Sequence, residues 1–309
     1  MAIPAQRGAL EYRRHADLLV VHSHREERAF AELGHRIGVQ VPTALATLPF
    51  ARSRSRMLAA DRARVLGADA GHPAGTLIAD RPPTPSAVRM PATDIVFAAQ
   101  ALVPVGRDER AEIAATLVRA AEADPNRRVV VKLRSRPGES ETHLERDPYL
   151  ELLPARRPDN LVVSYSSMAA ALSTAAGLVT VSSTAAVEAV ALGVPVIALD
   201  SFGVSKSLLN TVFVGSGLLG GRNEVVAGRF RHPHPAWLRD NYFHPAAEST
   251  WWNHVEQLVA LRRAGALPAK RVPAARGGAL HEAWHRASVL GSKDLSLIHI
   301  SEPTRPLYI

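Results

Sequence analysis

Apolar positions along this chain alternate between two spacings, and that alternation predicts most of its elements. DLLVVHS (17–23) is a nearly continuous apolar run, the pattern of a buried strand, whereas REERAFAEL (25–33) returns its apolar residues at helical spacing. TALATLPF (43–50) reads as a second strand stopped by Pro49, so these segments make one β-α-β unit. Residues 51–92 turn arginine-rich and then proline-rich, ending in RPPTPSAVRMP, and read as a linker with a domain boundary near 91. Beyond it come strand DIVFAAQ (94–100), helix RDERAEIAATLVRAAEAD (107–124) and strands RVVVKLR (128–134) and NLVVSY (160–165). Helix SSMAAALSTA (166–175), strand GLVTVS (177–182), helix TAAVEAVALG (184–193) and strand VPVIAL (194–199) follow. Strands of continuous Val and Ile alternating with helices predict an α/β fold whose doubly wound parallel sheet is covered on both faces. A last helix, ESTWWNHVEQLVALRRAG (248–265), closes a second domain expected over 91–268, after a remnant domain and linker over 1–90. No repeat of solenoid type is present.

One stretch departs from this pattern. VTVSSTAAVEAVALGVPVIAL (179–199) interrupts an apolar run with Ser182, Ser183 and Thr184, then admits Glu188, the sole charged residue between Gly177 and Leu199. In an open parallel sheet, ligands bind beyond the carboxyl ends of the strands, where helix starts offer unpaired N–H groups. Hydroxyls at a strand end that passes directly into a helix suit a phosphate, and a carboxylate one turn deeper can accept both hydroxyls of a ribose. The same residues also suit a plain capped helix, with Thr184 as N-cap and Glu188 turned to water. Both readings stand at this level.

Composition narrows the class. The formal net charge is +8, but residues 71–261 hold 18 basic and 19 acidic side chains, so the excess sits at the two ends and no basic stripe over a folded face is indicated. The absence of cysteine removes disulfides, thiolate metal sites and cysteine nucleophiles together. No secretory signal opens the sequence, and Glu188, the hydroxyls, Gly193 and Pro195 argue against a membrane span in the longest apolar run, so a cytoplasmic protein is expected. Arginine is 33 of the 37 basic residues, which makes Lys132 and Lys206 conspicuous in the central region.

SSTAAVEAVALGVPVIALDSFG resembles the donor-site signature of GT-B glycosyltransferases, in particular bacterial capsule-type transferases and an actinobacterial family of glycosyltransferases. ADLLVVHSHREERAF, ATLPF, FVGSGLLGG and FRHPHPAWLRDNYFHP fit the same resemblance, which runs from about residue 9 to 265. It implies two Rossmann-like domains, the N-terminal one truncated here, with a nucleotide-sugar donor held mainly by the C-terminal one. Ser182, Ser183 and Thr184 would then bind donor phosphate and Glu188 the ribose or nucleotide. VVVKLRSRPGE resembles the strand end where capsule transferases carry Lys-Pro-His-Pro; Lys132 stands in place, but Arg134 takes the histidine position. Two cations there can neutralise a diphosphate, with Lys206 as a third candidate. The resemblance further implies a glycan or cell-envelope acceptor, peripheral association with a membrane, no nucleic acid, and neither cofactor nor metal. The base that deprotonates the acceptor is expected in the N-terminal domain, ahead of Met1, which would leave this chain to bind donor without turnover. An epimerase or CDP-alcohol phosphotransferase on the same architecture, and a non-catalytic nucleotide- or polyanion-binding protein, are the alternatives.

Other motifs compete less well. HEAWH (281–285) has the i, i+4 histidine spacing of a zinc protease but follows the Gly-rich AARGGAL without a good third ligand, and reads as a solvated terminal helix. GSGLLG (215–220) follows an apparent short strand, TVFV, yet GGRNEV is a poor helix opening, so a connecting loop is expected rather than a dinucleotide fingerprint. His22 with His24, and His232 with His234, have one-residue spacings and no nearby acidic companion, and read as loop or strand-end residues. Trp251 and Trp252 are assigned to core or domain-interface packing, and SRSR near residue 54 to a solvated linker. No phosphate-binding Walker loop surrounds Lys206. Residues 269–309 read as a disordered tail, and LSLIHISEPTR (295–305) resembles translated sequencing-adapter read-through.

Overall fold

The computed structural model describes residues 7–51, 92–136, 139 and 145–268. In chain order the elements are α1 (Arg7–Tyr12), β1 (Leu19–Val21), α2 (His24–Ile37), β2 (Thr43–Leu45), β3 (Asp94–Ala98), α3 (Arg107–Ala123), β4 (Val129–Lys132) and α4 (Tyr149–Leu152). They continue as β5 (Leu161–Ser164), α5 (Met168–Ser173), β6 (Ala175–Thr180), α6 (Ala185–Ala191), β7 (Val196–Leu199), β8 (Leu219–Gly220), α7 (Arg222–Val226), α8 (Pro235–Asp240) and α9 (Trp251–Arg263). Two compact units result, one within residues 49–245 and the other joining residues within 2–48 to residues within 246–309. The composition-based boundaries put α9 with the sheet of the second domain, whereas α9 groups with the N-terminal segment. A composition shift marks where a chain leaves a unit and carries no signal of its return.

The larger unit is built on a six-stranded, all-parallel sheet in the order β5-β4-β3-β6-β7-β8. The α/β class expected from the alternation is therefore the class observed. Ile95, Phe97, Val129, Val131, Val179 and Ile197 point to one face, where Ile113, Ala114, Leu117 and Ala121 of α3 cover them. Val96, Ala98, Val130, Leu178, Thr180, Val196 and Ala198 point the other way and are buried too, because α5 and α6 pack on that side. Burial on both faces is why these strands lack alternation. β3 and β6 lie side by side, yet the chain leaves β3 toward β4 and leaves β6 toward β7. The sheet thus has its topological switch point between β3 and β6, the position where open α/β sheets leave a crevice at their carboxyl edge.

Two local devices set the sheet's geometry. Gly193 (φ 77°) ends α6 in a left-handed turn, with the Val194 N–H bonded to the Ala189 carbonyl at 2.8 Å and the Gly193 N–H to that of Val190 at 3.1 Å. This doubly bonded stop returns the chain into β7. At the opposite, amino edge, buried Asp94 accepts hydrogen bonds from Arg128 (2.5 Å), Thr174 (2.7 Å) and Thr93 (3.0 Å). Burial pushes its carboxyl up, but these donors outweigh burial and hold it below the ordinary range.

The smaller unit pairs β1 with β2 in parallel over a core of Leu10, Val21, Phe30, Leu33 and Leu45. Ser23 caps α2 by accepting the Glu26 N–H at 3.1 Å, while Glu26 accepts the His22 N–H at 2.9 Å. His24 does have acidic companions: its Nδ1 lies 3.7 Å from Glu27 Oε2, one turn on in α2, and its Nε2 lies 2.5 Å from Glu248 Oε2, 224 residues away. Trp251 and Trp252 are not core, since no residue of α9 is buried; they stack edge to face at 5.2 Å, with Trp252 53% exposed. In the larger unit, TVFV is a single 3-10 turn (Thr211–Phe213) rather than a strand. GGRNEV does open a helix, α7, because Glu224 reaches back 3.1 Å to the Gly221 N–H. The linker over 52–91, HEAWH, the tail and its adapter-like run lie outside the described residues. Among the described residues, no helix is long and apolar enough to cross a membrane.

Candidate functional site

Parallel strands bring all their carboxyl ends to one edge, so the site is best built strand by strand along that edge. Register aligns Ala98 of β3 with Lys132 of β4 and Lys132 with Ser164 of β5, and Thr180 of β6 with Ala198 of β7. These residues form the last rung of the sheet, all on the face that α5 and α6 cover. Lys132 is buried, and its ammonium donates to the carbonyl of its neighbour Leu133. Burial lowers the Lys132 pKa, and among the described residues no carboxylate pairs with it. A buried ammonium with one carbonyl for company can still receive an anion.

The segment from Thr180 to Glu188 resolves the question posed by its hydroxyls. Ser182 is fully buried: its N–H donates to Gln100 Oε1 at 2.9 Å, and its hydroxyl accepts from Gln100 Nε2 at 3.2 Å. The Ser183 N–H donates to Thr180 Oγ1 at 3.1 Å, and Ser183 Oγ accepts the Ala185 N–H at 3.2 Å. Ser183, not Thr184, therefore caps the start of α6. Three of the N–H groups expected to be open for a phosphate are satisfied internally, which leaves side chains as the main ligand-facing groups. Thr184 occupies the N-cap position with helical backbone angles, makes no side-chain cap bond, and is exposed.

Helix α6 is Ala-rich because it lies close on the sheet; Ala185, Ala186, Ala189 and Val190 are all at most 2% exposed. Thr184, Glu188 and Leu192 recur every four residues along its open line, and Glu188 is half-buried there. Burial raises the Glu188 pKa above the usual carboxylate range. The acid stands in the apolar run because this line alone escapes the sheet, and it shares that line with the Thr184 hydroxyl.

The remaining candidates lie further out. Arg134, two residues past β4, is exposed at the same edge. Lys206 is exposed in the turn after β7, a turn braced by Asn210, which donates to the Gly203 carbonyl (2.9 Å) and accepts from the Ser205 N–H (2.9 Å). Lys132, Arg134, Ser182, Ser183, Thr184 and Glu188 thus share one edge of the sheet beside the switch point, and Lys206 belongs to the loop after the next strand. Gln100 escaped sequence reasoning; its only signal is a polar amide at the carboxyl end of β3, the strand opposite β6 at the switch. Among the described residues, no group of three or more His, Cys, Asp or Glu side chains is arranged to hold a metal ion.

The chain matches, over residues 1–258, the model of the family described as "Putative glycosyltransferase (DUF6716)". No curated protein matches it. Solved structures that match include the apo form of UGT2 from Phytolacca americana, 14% identical, covering 90% of this chain and 55% of that one, with a TM-score of 0.36. A UGT transferase from Siraitia grosvenorii in complex with UDP is 14% identical over 90% of this chain and 57% of its own, with a TM-score of 0.36. The glycosyltransferase SnogD from Streptomyces nogalater is 18% identical over 76% and 61%, with a TM-score of 0.31. The chain spans a little over half the length of the first two.

Proposed function

Since the chain belongs to the DUF6716 family, whose description is that of a glycosyltransferase, we propose that it is a GT-B-type transferase moving a sugar from a nucleotide donor to a hydroxyl of a glycan or cell-envelope acceptor. The donor sits at the carboxyl edge of the six-stranded sheet, beside the β3/β6 switch. The observation that carries this reading is the open line of α6, where a half-buried Glu188 follows the exposed hydroxyl of Thr184 at the end of the central strand β6. Glu188 accepts the ribose hydroxyls; Thr184, the accessible part of Ser183 and the ammonium of Lys132 contact the phosphates. Arg134 and Lys206, both exposed, supply longer-range positive potential, which raises the local concentration of an anionic ligand.

Sugar transfer on this reading breaks the bond between the anomeric carbon and the terminal phosphate oxygen, while an acceptor oxygen bonds to that carbon. Negative charge grows on the departing phosphate, and Lys132, whose ammonium is held on the Leu133 carbonyl before reaction, stabilises it together with the Thr184 hydroxyl. The acceptor hydroxyl gives its proton to a general base. Lys132 gains most from this arrangement: an anion supplies the counter-charge that the fold leaves out.

A thermal-shift panel of UDP, GDP and CMP tests the donor site directly. At least one nucleotide should raise the unfolding midpoint, since a ligand selective for the native state stabilises it by about 2.7 kcal/mol at a hundredfold excess over Kd. Glu188→Ala should remove that rise. A flat response across the panel would count against the site.

A further inference from the structure

Gln100 stands where β3 and β6 meet, and it joins them by side chain alone. Its Oε1 accepts the Ser182 N–H at 2.9 Å and lies 3.4 Å from the Thr180 hydroxyl; its Nε2 donates to Ser182 Oγ at 3.2 Å. Thr180 in turn holds the Ser183 N–H. The junction from Thr180 to Ser183 is therefore tied to the neighbouring strand by this carboxamide, alongside the bond from the Thr180 hydroxyl to the Ala98 carbonyl (3.3 Å). That carboxamide is itself anchored from behind. Buried Arg110 donates to the carbonyls of Gln100 (2.9 Å), Ala101 (3.3 Å) and Pro104 (3.3 Å), donates to the Asp147 carbonyl (2.7 Å) and pairs with Glu145. A buried cation thus occupies the acceptor atoms of the loop after β3.

A carboxylate could accept the Ser182 N–H at least as well, because charged acceptors make the stronger hydrogen bonds, and in place of the lost Nε2 donor the Ser182 hydroxyl, 3.4 Å from Oε1, can turn and donate to it. A neutral amide in that position has a reason if an anion lies next to it. Resting on the donor reading above, we infer that Gln100 is a neutral positioning residue for the donor's phosphate groups: it fixes the Thr180–Ser183 junction while adding no negative charge beside them.

The test compares Gln100→Glu with the unaltered chain, using whichever of UDP, GDP and CMP binds, alongside the corresponding nucleoside. The variant keeps the acceptor for Ser182, so its unfolding midpoint and nucleoside affinity should stay near the unaltered values. Nucleotide affinity should fall by about tenfold or more, the size of one added like charge a few ångströms away in a partly screened site, and the loss should shrink as salt is added. A structural role alone would move nucleoside and nucleotide equally, and that result overturns the inference, as does an unchanged nucleotide affinity. If Gln100→Glu fails to fold, Gln100→Met carries the same comparison. It keeps the volume and adds no charge but releases the Thr180–Ser183 junction, and should cost the nucleotide about threefold or more relative to the nucleoside; equal losses, or none, again overturn the inference. An unaltered chain that binds no nucleotide would instead overturn the donor reading itself, and this assignment with it.

Discussion

At the scale of single residues, the two ionisable groups of the site are both held against their ordinary chemistry. Lys132 is buried beside a single carbonyl, so its charge weakens the fold that contains it. Lys132→Met keeps most of the volume and removes the desolvated charge. Urea titration should find the variant as stable as the unaltered chain or more so, while nucleotide affinity drops by about tenfold. A loss of stability with affinity intact would make Lys132 structural. Glu188 carries the opposite charge and the same kind of strain: burial raises its pKa, so stability improves as pH falls through the raised value. Ribose binding runs the other way, because the ionised carboxylate is the acceptor. Nucleotide affinity should therefore begin to fall at a pH above the ordinary carboxylate value of about 4.3, and Glu188→Gln should flatten that dependence relative to the unaltered chain. Isothermal titration across pH 4 to 7 on both proteins would separate this effect from protonation of the nucleotide, which is common to both.

At the scale of elements, the site depends on strands that cannot shift. Gly177 in β6 faces the ring of Phe230, and a β-carbon there would overlap that ring. Since Phe230 packs on the main core, Gly177→Ala should cost about 1–3 kcal/mol of unfolding free energy by overpacking. Pairing it with Phe230→Leu should return part of that loss, so the double variant would be more stable than the sum of the singles. Denaturant midpoints of the four proteins decide it. Strand and helix positions along this unit were legible in the sequence because continuous Val and Ile runs and Ala-rich helical spacing describe burial from two sides. α7, five residues opened by the Gly221–Glu224 bond, and the three-residue 3-10 turn at Thr211–Phe213, where Trp237 Nε1 donates to the Val212 carbonyl at 2.8 Å, were not, since neither is long enough to show a period.

At the scale of the whole molecule, the chain leaves its N-terminal unit after residue 48 and returns to it at 246, and between these points residues 92–245 hold 16 basic and 16 acidic side chains. The near balance of charge over residues 71–261 gives no support to polyanion binding by the folded sheet unit, and the DUF6716 match spans both units. By itself the sequence determined the α/β class, the parallel sheet and the segment worth asking about, because these follow from local periodicity and from which residue types a buried strand tolerates. Tertiary structure alone decided that Ser182 is closed by Gln100, that Ser183 does the capping assigned to Thr184, that Glu248 meets His24, and that Glu188 lies on the one open line of its helix. The Gln100 and Glu248 bonds join residues 82 and 224 positions apart and leave no period in the chain that makes them, while the Ser183 cap spans two positions and is decided by the helical backbone angles of Thr184.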